Sequence, residues 1–365
     1  MDLNSLAKEI PFLIKDSLKI GPRNLVGIDI GLSSVKVCEL AAKGSKWALQ
    51  KFAMQELPEG ALIDDEIQKP DEIKEAIKEA LKKAKIKNLN VCLGLFGPNT
   101  IAKRLQIAGN SEEEIENEVF WEAEQYIPFG VDDSAISYDI LRENEGGGTD
   151  VIVAAAREDV IESYKDLLGE IGLRVKVVDL NLLATANVFE HIVLNGKDAS
   201  VNNVLIEFGA QSTKVSVYKF GVLVFTRELN IGGYMITEEI QRQMGLNYVE
   251  AEDLKTLGDE NGNYPEEILE IIQSSLDVYF AEIRKVLGFF LTASSDDEVD
   301  KCFLTGGACM TPGLKEGLET TLNCKIHVFD PFLKIDYNKR SFSQEAIEII
   351  ATHGVVAMGL AARNF

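Results

Sequence analysis

The stretch VGIDIGLSSVKV, residues 26–37, runs from an apolar strand into Asp29, Gly31, two serines and Lys36. Two readings fit it. In one it is an ordinary hairpin, with glycine turning the chain and the polar residues in water. In the other it is half of a nucleotide site. Gly31 then lets the backbone approach a phosphate, Ser33, Ser34 and Lys36 meet its charge, and Asp29 holds hydrated magnesium. The stretch alone leaves both open.

A second copy shifts the balance. VLIEFGAQSTKV, residues 204–215, aligns without gaps: Asp29 with Glu207, Gly31 with Gly209, Ser34 with Ser212 and Lys36 with Lys214. Gln211, Ser212 and Thr213 fill its turn. The offset is 178 residues, about half of the 365-residue chain, which suggests a duplicated domain rather than a short solenoid repeat. Two such hairpins facing each other across a cleft would grip a phosphate chain from both sides. Shortly after the second copy, NIGGYMITEEI carries Gly232 and Gly233, which could let backbone approach phosphate. A third glycine-rich stretch, KCFLTGGACMTPGL from Lys301, places Gly306, Gly307 and Met310 where a strand should turn into a helix. Paired glycines there admit a flat ring against the backbone. A plain strand-to-helix turn is the alternative.

In this order the three stretches resemble the phosphate-1, phosphate-2 and adenosine motifs of the actin-like ATPases. The resemblance implies an α/β fold of two duplicated RNase-H-like domains around a nucleotide cleft, with an inserted α+β subdomain. It implies ATP and Mg2+ as ligands, with Asp29 and Glu207 holding the metal through water. The segment AEDLK, residues 251–255, is similar to one whose glutamate and lysine touch ribose and adenine in relatives, here Glu252 and Lys255. On a helix these lie at i and i+3, on one face, where a solvated charged surface is the alternative.

Two further stretches narrow the family. FWEAEQYIPF, residues 120–129, resembles the signature of the PilM family, the actin-like proteins of type IV pilus assembly, and GLAAR, residues 359–363, resembles its ending. The resemblance runs from about Leu25 to the C-terminus. It implies an ATP-binding scaffold of the inner-membrane assembly platform that docks the cytoplasmic N-terminal peptide of PilN between the inserted subdomain and the first domain. Tyr126, Ile127 and Phe129 are candidate peptide contacts. Alternatively they pack the subdomain's own core with Pro128, as Trp121 is expected to do. Other platform proteins and self-association are further partners.

Hydrolysis needs an aligned water as well as held phosphates. Chaperone relatives supply a glutamate before the second hairpin; the matching residue here is Asn181, which cannot take a proton, and Asp179 two residues away is a substitute of different geometry. Glu207 stands where the superfamily has aspartate, and its extra methylene moves the carboxylate by about 1 Å. Weak or absent ATP turnover is therefore expected. A membrane-bound filament of the cell-division type and a small-molecule kinase are the competing functions. The first usually carries a linker and anchor after its last helix, whereas this chain stops at GLAARNF; the second needs an acceptor pocket with its own carboxylate.

The domain expectations are an amphipathic helix over 1–22, a first domain over 23–89 and 176–200 with a returning helix 344–365, and an inserted partner-binding subdomain over 90–175. The second domain is expected over 201–235 and 300–343, with a helical subdomain over 236–299. Helices are predicted from Pro70, from a Ser111/Glu114 capping box, from Glu158 to Ile171, and from Gln344 to Arg363. A net charge of −22 argues against nucleic-acid binding. The five cysteines lack metal spacing and read as buried thiols of a reducing cytosol. No apolar run reaches the ~20 residues a membrane span needs, and Lys8, Glu9, Lys15 and Asp16 break any signal core. The expectation is a cytoplasmic protein, peripheral at the inner membrane through partners.

Overall fold

The computed structural model describes residues 24–43, 46–108, 111–143, 148–192, 202–219, 221–294 and 299–363. The helix expected over 1–22 and residues 295–298 of the polar loop at 293–300 lie outside the described residues. The chain divides into two compact units, 1–188 with 334–341 and 356–365, and 189–333 with 342–355.

The first unit opens with a meander: β1 (Val26–Ile30), β2 (Ser34–Lys43) and β3 (Lys46–Glu56). Every residue of β1 is buried, because it pairs on both edges, antiparallel to β2 and parallel to β6 (Asn90–Leu95). Between them lie a short ribbon, β4 (Leu62–Ile63) with β5 (Glu66–Ile67), and helix α1 (Pro70–Lys83). Proline at its first position and Asp71 and Glu72 in its first turn suit the helix dipole, and Ile73, Ala76, Ile77 and Ala80 bury one face on β2 and β3. Next come β7 (Thr100–Ile107), α2 (Glu112–Tyr126), β8 (Ser134–Glu143), β9 (Thr149–Arg157), α3 (Glu158–Glu170), β10 (Arg174–Leu180) and α4 (Asn181–Ile192). β7, β9 and β8 form a separate antiparallel sheet, with α2 packed on it around Ile107, Ile115, Val119, Ala123 and Val151. Ser111 and Glu114 make the expected capping box.

The second unit repeats the plan. Its meander is β11 (Asn203–Phe208), β12 (Thr213–Lys219) and β13 (Val222–Leu229). Helices α5 (Gly233–Met244), α6 (Tyr248–Thr256) and α7 (Glu266–Ser294) follow, then β14 (Lys301–Thr305), α8 (Leu314–Leu322) and β15 (Ile326–Val328). Its sheet order is β13-β12-β11-β14-β15. The first unit has β10-β6-β1-β2-β3, extended at the β3 edge by β16 (Ile335–Tyr337). Read from the parallel edge, the two orders coincide. So do the registers: Val26 faces Glu39 across the first hairpin and Val204 faces Val217 across the second.

Four expectations differ. β6, placed in the inserted subdomain, pairs with β1 and β10, and α3 packs on β10 and α1, so the separate sheet spans only residues 100–157. Residues 334–341, assigned to the second domain, join the first unit because β16 pairs with β3. The final helix is two, α9 (Gln344–His353) and α10 (Val355–Ala361), interrupted at Gly354; α9 packs on β14 in the second unit, and α10 belongs to the first. Trp121, expected in the subdomain core, is 64% exposed, because α2 turns Ile115, Val119 and Ala123 inward instead. Among the described residues no helix is long and apolar enough to cross a membrane.

Candidate functional site

Each unit carries one hairpin of the repeated motif, and the two are built alike. In the first, Asp29 stands directly across the ladder from Lys36, and Lys36 Nζ lies 3.6 Å from its carboxylate. Gly31 N–H donates to Ser34 O at 3.0 Å and closes the turn. In the second, Glu207 faces Lys214, with 3.2 Å between Nζ and Oε1, and Gly209 N–H donates to Ser212 O at 2.9 Å. A strand-end carboxylate, a tight turn and a cross-strand lysine thus recur in one geometry. Both carboxylates are largely buried, which concentrates their field at the hairpin mouth. Ser34 is buried, Ser33 O accepts from Leu57 N–H, and Thr213 Oγ1 donates to Ile231 O. Ser212 Oγ donates to Glu228, while Gln211 is partly exposed in the turn.

Gly232 and Gly233 act on the second hairpin rather than standing apart from it. A Cβ on Gly232 would lie 2.4 Å from Ala210 O, so only glycine lets the start of α5 approach the turn. Gly233 N–H donates to Gly209 O and Tyr234 N–H to Ala210 O, which spends two of the four N-terminal donors of α5 on the turn's own carbonyls. The glycine carbonyls are pinned as well. Tyr279 Oη, buried on α7 against Phe208, donates to Gly232 O. Lys255 Nζ donates to Gly233 O at 3.2 Å, Thr237 Oγ1 at 2.8 Å and Glu252 Oε2 at 2.6 Å. An ammonium has three N–H bonds, so all of them are engaged inside the unit. Burial pulls the Lys255 pKa below the usual lysine value, against the opposing pull of Glu252. Glu252 keeps a third of its side chain exposed and is the more open member of this pair.

Gly306 follows β14 at φ +92°, and a Cβ there would lie 2.2 Å from Phe208 O. Gly307 lies under the His353 ring, 3.2 Å from its Cβ position, and Met310 is 66% exposed nearby in the chain.

At the start of α4, Asn181 is buried, and its Nδ2 donates to Asp29 Oδ1 at 3.3 Å. Asp179 does not point the same way. It accepts from Arg363 Nε at 2.6 Å and from Leu180 N–H, which makes it the anchor of the C-terminal segment. In the small sheet, Ile127 is buried in the core and Phe129 packs partly against it, while Tyr126 is exposed with Lys103 Nζ 3.0 Å over its ring. The core, not the surface, therefore claims Ile127. Sequence reasoning missed Thr237, Tyr279, Gly94 and Arg363. Of these, Arg363 lies inside GLAAR and Thr237 inside NIGGYMITEEI, stretches the sequence singles out, whereas Tyr279 and Gly94 carry no such signal.

Among the described residues no group of three or more His, Cys, Asp or Glu could hold a metal unaided. The single carboxylates Asp29 and Glu207, each beside a lysine, fit a magnesium carried by phosphates and water, since Mg2+ dehydrates reluctantly and uses one or two carboxylates. All five cysteines are free and buried, and burial raises each thiol pKa, the setting of packed core thiols rather than reactive ones.

A sheet order used twice, with the carboxylate–glycine–lysine hairpin at the same place in each copy, defines an actin-like α/β protein. Residues 27–365 match the family described as type IV pilus assembly protein PilM, and the chain belongs to that family. The solved PilM–PilN type IV pilus biogenesis complex is similar over 93% of this chain and 98% of that one, at 27% identity and a TM-score of 0.83. The ethanolamine utilization protein EutJ from Carboxydothermus hydrogenoformans shares the fold over 94% of this chain and 90% of its own, at 12% identity and a TM-score of 0.55.

Proposed function

We propose that this PilM-family protein binds Mg-ATP and uses it as a state signal for pilus assembly rather than as fuel. The observation that carries this reading is the paired hairpin: Asp29 across from Lys36 and Glu207 across from Lys214, in matched register. The lysines and turn N–H groups receive phosphate charge, Asp29 and Glu207 hold hydrated Mg2+, Glu252 takes the ribose, and Gly306 and Gly307 receive adenine. The bound metal would neutralise phosphate charge. No carboxylate is assigned to activating water, since Asn181 occupies that place and Asp179 is engaged by Arg363. Turnover is therefore slow or absent.

The partner in this reading is the cytoplasmic N-terminal peptide of a PilN-like inner-membrane protein, in keeping with the complex this chain is similar to. It would hold the protein at the inner membrane. Tyr126 and Phe129 are the side chains we assign to it, at the rim of the small sheet. The test has two arms. A fluorescent ATP analogue should bind in a magnesium-dependent way, and Asp29→Ala should abolish that dependence; no binding to folded, nucleotide-free protein overturns the nucleotide reading. A PilN-like peptide should bind wild type and lose affinity for Phe129→Asp; unchanged affinity removes Phe129 from the site.

A further inference from the structure

Asn181 stands where a catalytic acid is expected, and the structure gives its side chain a different task. Its amide reaches two strands at once. Nδ2 donates to Asp29 Oδ1 on β1 at 3.3 Å, a long contact. Oδ1 sits over β6, where a Cβ on Gly94 would fall 2.0 Å from it. That oxygen is buried and has no hydrogen-bond partner, although Asn181 as a whole is only 5% exposed. Leaving an acceptor buried and unpaired is costly, so the orientation has to be imposed by something else. The opposite amide orientation would turn the oxygen lone pairs onto the Asp29 carboxylate. The arrangement observed accepts an unsatisfied oxygen in order to present an N–H to Asp29. Gly94 makes room for it, and Leu360 of α10, 2.8 Å from the same Cβ position, closes the niche.

We infer that Asn181 is a positioning residue for Asp29: its amide, seated in the Gly94 niche, orients the carboxylate that the first hairpin offers to a hydrated cation. The inference rests on the Mg-nucleotide reading. It also explains why an acid is absent here. A carboxylate at 181 would place a second negative charge about 3.3 Å from Asp29 and could not donate the N–H that the amide supplies. In this account Asn181 is not an eroded acid awaiting repair.

The test is the isosteric variant Asn181→Asp, with Asn181→Ala beside it, each checked for folding by circular dichroism. The readout is affinity for a fluorescent ATP analogue across a magnesium titration, with hydrolysis measured in parallel. Loss of the orienting group should weaken the magnesium-dependent component by roughly 10–100-fold, the range seen when the partner of a metal-holding group is removed. Asn181→Asp should be the worse of the two, and neither should hydrolyse ATP faster. Wild-type magnesium dependence in Asn181→Asp, or faster hydrolysis there, overturns the inference while leaving the nucleotide reading intact. Absence of magnesium-dependent binding in wild type overturns both. The niche has its own nucleotide-free check. Gly94→Ala should lower Tm in wild type and lower it less in the Asn181→Ala background; equal losses in the two backgrounds overturn the placement of Asn181.

Discussion

Lys255 shows how a charged residue can serve a site without facing the ligand. Its ammonium holds Gly233 O, Thr237 and Glu252, and Tyr279 holds the neighbouring Gly232 O, so the glycine pair is fixed from behind by two buried side chains. Replacing Lys255 by Met preserves much of the packing but leaves Gly233 O and Glu252 to share the single Thr237 hydroxyl proton, at a cost of about 1–3 kcal/mol. Chemical denaturation should show this as a lower midpoint with an unchanged slope. The pH dependence has a definite sign. Burial lowers the folded-state pKa of Lys255 below the 10.5 of an exposed lysine. Between that lowered value and 10.5 the unfolded chain holds more protons than the folded one, so this group's contribution to stability rises with pH. Below the lowered value both states are protonated and the contribution is flat. The difference in stability between wild type and Lys255→Met should therefore grow in that alkaline window; a difference that shrinks instead would mean that pairing with Glu252 outweighs burial at Lys255.

At the scale of elements, close approach decides more than propensity. α10 lies so near β1 that a Cβ on Gly27 would fall 2.1 Å from Ala357 O, and Gly359 is pressed equally close to Ala184 O of α4. Gly27→Ala must push a backbone aside and should cost about 1–3 kcal/mol or more, measured as a loss of Tm. On α2 the expectations separate cleanly. Ser111→Ala removes a capping box and should cost about 0.5–2 kcal/mol, whereas Trp121→Ser, at an exposed position, should leave Tm within experimental error. A large loss in Trp121→Ser would mean that the indole is buried after all. These cases also mark what the sequence makes legible. The hairpins announced themselves because Asp29 and Lys36 recur as Glu207 and Lys214 with the same seven-residue step. α1 and the α2 cap were readable because their signals are local. β16 was not: three residues pair with β3 almost three hundred positions earlier, and no local pattern encodes such a partner. The outward turn of Trp121 was hidden because α2 has its apolar face already filled by Ile115, Val119 and Ala123. For Ile127 the sequence leaves peptide contact and core packing both open, because its burial depends on the β7–β9 sheet, not on its neighbours in the chain.

At the scale of the whole molecule, the chain passes between its two units four times, and the last passage carries α10 and Arg363 into the first. There Val356 and Leu360 pack with Leu25, Cys92 and Ala184, and Arg363 anchors on Asp179. Removing residues 356–365 takes away one side of that core and the space-filling Leu360 behind Gly94, while leaving the second unit's sheet and α5 to α9 in the chain. Both tryptophans, Trp47 and Trp121, belong to the first unit, so fluorescence reports on that unit alone. Trp121 is already exposed, which leaves Trp47, partly buried on β3, as the informative ring. The truncated protein should show a red-shifted emission and rapid proteolysis within residues 24–188, with the helical circular-dichroism signal of the second unit largely retained. A Leu360→Ala variant of the full-length chain should show the same pattern in weaker form, as a selective loss in the first unit's transition. If truncation instead abolishes helical signal and fluorescence together, the two units fold as one cooperative body and the C-terminal segment stabilises both. If neither changes, α10 is dispensable, and the close packing at Gly27 and Gly359 has no energetic consequence.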